Sequence, residues 1–162
     1  MTSGHGGAHP LGLALAAKKR GFEVSAFIST DKPLFLEGVR TEKKKEIMRT
    51  VDQQFRDRAK KAKIKIHIAD VTQKQIAAAL ARQHAVIILI STYLMDRKKV
   101  PHWVVMSGFD DDCLYMHDSD PDDNRQSILD CQFIPIARED FDRMSCFGKT
   151  RLRTAVILWP TC

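Results

Sequence analysis

Apolar and polar positions divide this chain into short segments with recognisable periods. Leu11 to Arg20 is nearly continuous in apolar residues and reads as a helix. Pro10 suits its first turn, where the missing N–H is not needed, and Gly21 is a natural stop. "FEVSAFI" alternates, which predicts a strand over Phe22 to Ile28. "STDKPLFLEGVR" follows as a loop with an apolar patch at Leu34, Phe35 and Leu36. Thr41 then caps a long helix running to about residue 63. Ile47, Val51, Phe55, Ala59 and Ala62 form its one apolar stripe. "IKIHI" alternates as a short strand. Asp70 or Thr72 caps a helix from about Gln73 to Gln83. "AVIILI" is a continuous apolar run of the kind a strand buried on both faces carries.

The organisation changes after residue 100. "HWVVMSG" and "DCLYMHD" are β-rich runs separated by "GFDDD", the composition of a hairpin turn. A short strand around Phe133 to Ile136, a helix around Glu139 to Met144 and a last strand "TAVIL" follow. No repeat and no Pro/Ser-rich linker interrupts the chain. The pattern predicts one α+β domain over residues 1–162, with helices gathered early on a mainly antiparallel sheet.

Length and composition fit that reading. The 162 residues can bury a real core, and 44% are apolar. No stretch approaches the roughly 20 apolar residues of a membrane span. The N-terminus lacks a signal peptide's basic n-region, because Lys18, Lys19 and Arg20 follow its apolar stretch. A cytoplasmic protein is expected. Cys113, Cys131, Cys146 and Cys162 show no C-x-x-C pairing, so a zinc ribbon is not indicated and reduced thiols are expected. The net charge of +6 is unevenly divided. Residues 1–108 hold 20 Lys and Arg against 9 Asp and Glu, whereas residues 109–145 hold 11 Asp and Glu against 3 Arg. The basic helix from Thr41 to Lys63 is a conceivable polyanion site, though such helices are usually solvated faces. The acidic segment argues against a nucleic-acid-binding surface.

The opening run "MTSGHGGAHPLGLALAAKKRG" raises the question of a phosphate loop. Its glycines do not give G-x-G-x-x-G after a strand, and no Gly-Lys-Ser/Thr follows. A tight turn that brings a helix close to its neighbours is the simpler reading. His5 and His9 flank this turn. Two histidines without a third ligand make a weak metal signal, so exposed loop histidines are expected. No cofactor or metal is indicated.

"VPHWVVMSGFDDDCLYMHDSDP" is the most informative stretch. His102 starts one hairpin strand and Asp118 ends the next, so imidazole and carboxylate can meet. A carboxylate on one ring nitrogen fixes the tautomer and leaves the other as a base. That is the rear half of a Cys-His-Asp nucleophilic site. Spacing alone favours the plainer reading, two solvated polar ends of a hairpin. "DSDPDDNRQSIL" places Asp118, Asp120 and Asp122 at positions 1, 3 and 5 of a calcium loop. The loop then departs from the pattern, with Asp123 for the turn glycine and Leu129 for the bidentate glutamate.

"PHWVVMSG" followed by "LYMHDSDP" resembles the histidine and aspartate motifs of the papain-like cysteine peptidases that cut double-glycine leader peptides from bacteriocin precursors. More closely, the chain is similar to bacterial peptidase-like domains sometimes fused to a GNAT-type acetyltransferase. The ordered set "MTSGHGG", "PLGLALAAKKRGF", "PLFLEGVR", "LISTY", "PHWVVMSGFDDD", "YMHDSDP" and "FIPIAREDFDRM" carries this similarity over most of the chain. The resemblance implies a papain-like α+β fold, peptide or amide hydrolysis, a peptide or protein substrate, His102 as base and Asp118 as its orienting carboxylate. Ser119 stands where relatives often have proline, so Asp118 and Asp120 both remain candidates for that carboxylate. The family's nucleophilic cysteine and preceding glutamine lie upstream of the region matched here, and all four cysteines of this chain follow His102. Cys113 and Cys131 read as small apolar fillers.

The resemblance thus implies a domain incomplete at its N-terminus and inactive alone. It would depend on an upstream segment or an acetyltransferase domain as partner. The alternative is a non-catalytic module that binds a peptide or protein. If the N-terminal part is missing, the apolar helix Leu11 to Ala17 should be left exposed.

Overall fold

The computed structural model describes residues 3–4, 7–37, 39–97, 100–121 and 126–161. Its elements follow the periodicities closely. A minimal hairpin of β1 (Ser3–Gly4) and β2 (Gly7–Ala8) leads into α1 (Pro10–Lys19). Then come β3 (Phe22–Ile28), α2 (Glu42–Lys61), β4 (Lys65–His67), α3 (Gln73–Ala81) and β5 (Ala85–Ser91). A short α4 (Tyr93–Asp96), which no periodicity announced, precedes β6 (Pro101–Phe109) and β7 (Cys113–His117). The chain closes with β8 (Ile134–Ala137), α5 (Arg138–Met144) and β9 (Thr154–Pro160). Thr72, the second of the two candidate caps, starts α3 with a reciprocal capping box to Gln75.

β3 to β9 form one seven-stranded sheet in the order β4-β3-β9-β5-β6-β7-β8. Only β3 and β4 run parallel, and every other pair is antiparallel. The early strands therefore belong to the same sheet as the late ones, and helices and strands interleave. α3 and α5 pack on one face, with Ile76, Ala79, Phe141 and Met144 against Val86, Ile88, Val104 and Met116. α1 and α2 pack on the other, with Leu11, Ala14, Phe55 and Ala59 against Val24, Ala26, Leu89 and Val156. β5 feeds both cores, which is why its sequence is continuously apolar.

Strand pairing sets one end of the sheet apart. The C-terminal ends of β3, β4, β5 and β7 and the starts of β6, β8 and β9 all lie there. α1, joined to β3 by the tight turn at Arg20 and Gly21, starts at the same end. A loop carboxylate fastens part of this end. The two oxygens of Glu37 accept the amides of Lys149 and Thr150 at 2.8 and 3.0 Å. Gly148 passes beneath with φ +72°, where a Cβ would stand 2.7 Å from Glu37 Oε2.

Two expectations are corrected here. α1 leaves no apolar side chain exposed: Leu11 and Ala14 are buried, Leu13, Leu15 and Ala17 are half-buried against the α1/α2 core, and Ala16 is half-buried as well. An apolar helix wedged between two layers has no need of a polar face. His9 is likewise no exposed loop residue. It is 6% exposed and caps α1, its Nδ1 accepting the Leu11 amide at 3.2 Å. Its Nε2 lies 3.0 Å from Asp52 Oδ1, and its ring stacks on Phe55 at 4.6 Å. An ionised carboxylate only accepts, so Nε2 carries the proton and both ring nitrogens are satisfied. His5 lies outside the described residues.

Asp52 is the hub of this network. Its Oδ1 also accepts the Leu34 amide at 3.2 Å, and its Oδ2 accepts Arg56 Nε at 2.7 Å. Burial alone would raise its pKa. The hydrogen bonds from His9 and Arg56, the Arg56 charge and the Leu34 amide outweigh burial and hold it below the ordinary 3.8.

Removing this carboxylate strands several buried donors. Asp52→Ala is expected to destabilise the protein by about 3 kcal/mol, measured as a lowered urea midpoint. Because the folded pKa is depressed, the Asp52 contribution is fully present above about pH 4 and fades as pH falls through the folded value. Acid titration of stability should therefore be shallower in Asp52→Ala than in the parent.

Candidate active site

β6 and β7 form the hairpin on which the site is built. Its turn is organised by Asp110, whose Oδ1 accepts the amides of Asp112 and Cys113 at 2.9 and 2.7 Å. Tyr115 donates its hydroxyl to Asp110 Oδ2 at 2.6 Å. The Tyr115 bond first, and then the two amides, hold Asp110 below the usual carboxylate range, while the same bond pushes the phenol up. Arg138 at the start of α5 donates to the carbonyls of Asp110 and Asp111 and to Gln73 Oε1, tying the turn to α3. A bulge at Ser107 then shifts the register, so that Met106 faces Met116 and Gly108 faces Tyr115.

This register brings the two candidate residues together. Val105 opposes His117, so the chain leaving β7 runs beside the first residues of β6. His102 shares a face with the buried Val104 and Met106 by alternation. Its Nε2 lies 2.7 Å from Asp118 Oδ1. Asp118 is held in turn, because its amide donates to the Cys131 carbonyl at 2.9 Å. Its Oδ1 also accepts the Asp120 amide at 2.9 Å. Between the two aspartates left open by the sequence, Asp118 makes the bond to the imidazole, and Asp120 contributes a backbone N–H.

The same donor logic used for His9 places the proton of neutral His102 on Nε2. The outcome for the second nitrogen differs. Nδ1 of His102 has no protein partner among the described residues. The side chains are 20% and 11% exposed for His102 and Asp118, against 7% and 4% for His9 and Asp52. One His–Asp pair is partly exposed and the other is buried.

No hydrogen bond joins a described cysteine side chain to His102. Cys131 stands nearest, in a 3-10 turn over Leu129–Cys131, buried, with Sγ 3.9 Å from Gln126 Oε1. Burial foremost, and then the charges of Asp118, Asp130 and Asp120, push its thiol above the ordinary 9.0. That is the reverse of the electropositive setting that makes a nucleophile. Cys113 begins β7 at the far end of the hairpin, and Cys146 follows α5, 3.7 Å from Arg151 Nη2. Cys162 lies outside the described residues. So do Asp122 and Asp123 of the calcium-like loop. Leu129 is 76% exposed in that loop, and the Asp118 carboxylate is turned to His102. Among the described residues no three His, Cys, Asp or Glu side chains converge as metal ligands.

Apolar side chains flank the partly exposed pair. Ile128, Leu129 and Phe133 are exposed on the β7–β8 connection, and Tyr93, Leu94, Met95 and Val100 on the β5–β6 connection. Both connections leave the sheet at the end that carries His102 and Asp118.

The α+β fold has a mostly antiparallel mixed sheet and carries an imidazole paired with a carboxylate at one end of it. The sequence matches the model of the Peptidase_C39 like family over residues 1–159, and the chain belongs to that family. No curated protein and no solved structure matches it. No helix among the described residues is long and apolar enough to cross a membrane.

The state of Cys131 can be read directly. Its alkylation by iodoacetamide in the folded protein should be slower at pH 7 than that of half-buried Cys113, and should accelerate only above pH 9. Peptide mass mapping over a pH series checks this, and rapid labelling of Cys131 at neutral pH would contradict the assignment.

Proposed function

We propose that His102 and Asp118 are the base and orienting carboxylate of a cysteine-peptidase-type site that hydrolyses a peptide or amide bond. The observation that carries this reading is the 2.7 Å Nε2–Oδ1 contact, which leaves Nδ1 free at an accessible position. In that chemistry Nδ1 takes the proton of an attacking thiol and returns it to the leaving amine, while Asp118 stabilises the imidazolium. The thiol is not one of the described cysteines. In this reading the thiol is supplied from outside the described residues. The exposed apolar side chains on either side of the pair give a peptide substrate surfaces to lie against.

The same apolar flanks favour a second reading, a module that holds a peptide or protein without cleaving it. Binding by such a surface would be insensitive to moderate salt, unlike binding by the basic α2.

The chain alone is expected to give no thiol-dependent turnover of a fluorogenic peptide. Labelling by an electrophilic peptide probe that disappears in His102→Ala would overturn the absence of a nucleophile. Fusing a cysteine-bearing segment ahead of the chain should produce activity that His102→Ala lowers at least 100-fold. Peptide binding without turnover in that extended chain would establish the second reading instead.

A further inference from the structure

His102 stands on a part of the sheet with little backbone support. β6 pairs with β7 only from Val105 onward, so residues 101–104 have no ladder partner on that side. β5 pairs with β9 only through Ile88, so Leu89 to Ser91 have none on theirs. The pairs Leu89–Trp103, Ile90–His102 and Ser91–Pro101 therefore form a two-stranded ribbon that projects beyond the sheet. Beyond the sheet its backbone is held by one ladder only, although Leu89 and Ile90 are buried. Any twist would swing the imidazole relative to Asp118, which is anchored elsewhere, at the Cys131 carbonyl.

Trp103, the residue after His102, faces the opposite side and packs against the α1/α2 core. Its indole Nε1–H donates to the carbonyl of Ala8 at 3.0 Å. Ala8 immediately precedes His9, whose ring is fixed by the Leu11 amide, Asp52 and Phe55. Among the described residues this is the one side-chain hydrogen bond that joins β6, β7 or β8 to residues 8–61. The indole thus ties the projecting ribbon to a rigid buried node.

We propose that Trp103 is a positioning residue for His102. Its bond to Ala8 fixes the twist of the ribbon, so that Nε2 stays on Asp118 and Nδ1 keeps one orientation. The proposal rests on the reading of His102 as the base, and the two fail separately. A purely structural tryptophan would affect all histidines alike, whereas a positioning one acts on His102.

The test is nitrogen and proton NMR of the histidine rings in the full chain carrying Trp103→Phe, which keeps an aromatic ring and removes the donor. The expected result is a His102 Nε2 proton that exchanges with water at least tenfold faster, together with a shifted His102 titration midpoint. The His9 and His117 signals should stay in place. An unchanged His102 proton and midpoint would overturn the proposal. β-(3-Benzothienyl)alanine at position 103, with sulfur in place of the N–H, repeats the test with the indole shape preserved. If both replacements unfold the protein, the bond is a folding contact and the positioning role is also overturned. Asp118→Asn is the control for the underlying reading. If it leaves the His102 tautomer untouched, the base–carboxylate assignment fails whatever Trp103 does.

Discussion

The register of β6 between its two neighbours is the constraint on which the site end depends. Side chains alternate along a strand, so a slip of one residue would send His102 to the α1/α2 face and Trp103 to the other. The register is fixed from several sides at once. Val104 and Met106 must enter the α3/α5 core, and Trp103 must meet the α1/α2 core. The bulge at Ser107 absorbs the extra residue before the tight turn that Asp110 organises. The pairing of imidazole and carboxylate then follows from the hairpin register together with the β7–β8 connection, whose Cys131 carbonyl holds the Asp118 amide.

Two His–Asp pairs in one chain use the same groups in different surroundings, one buried and one partly exposed. In each, the carboxylate fixes the proton on Nε2. The second nitrogen decides the rest. In His9 it accepts the helix amide of Leu11 and is spent on capping. In His102 no described protein group bonds to it, and the proposed role as base rests on that. The proximity of a carboxylate alone would not have told the two apart. The occupancy of the remaining lone pair does.

Much of this arrangement was legible in the sequence. The alternation in "FEVSAFI" and the continuous apolar run "AVIILI" gave β3 and β5 to within a residue, and Pro10 and Gly21 bracketed α1. The hairpin spacing put His102 and Asp118 within reach of each other. The buried pair escaped because its partners are 43 residues apart in the chain and Asp52 sits on a stripe that otherwise reads as solvated. Its available signal was local: a histidine directly before a proline, at the position where a helix wants an acceptor. The exposure of α1 was misjudged for a related reason. An all-apolar helix is ambiguous between an uncovered face and a helix enclosed between layers, and only tertiary packing resolves it. Strand order was beyond reach as well, since nothing in "TAVIL" says that it belongs in the middle of the sheet.

That last placement has a consequence for how the molecule comes to be made. β9, the final strand in sequence, lies between β3 and β5. Until it emerges from the ribosome, the growing chain holds two half-sheets, one of β3 and β4 and one of β5 to β8, each with an open edge. The second is a meander of near neighbours and can form early, whereas joining the halves requires contacts such as Phe22 to Pro160 across almost the whole chain. The strand carrying His102 can therefore pair with its neighbours well before the two halves are joined. During that interval the bare edges of β3 and β5 are the places where a nascent chain is open to capture by a chaperone or by another copy of itself.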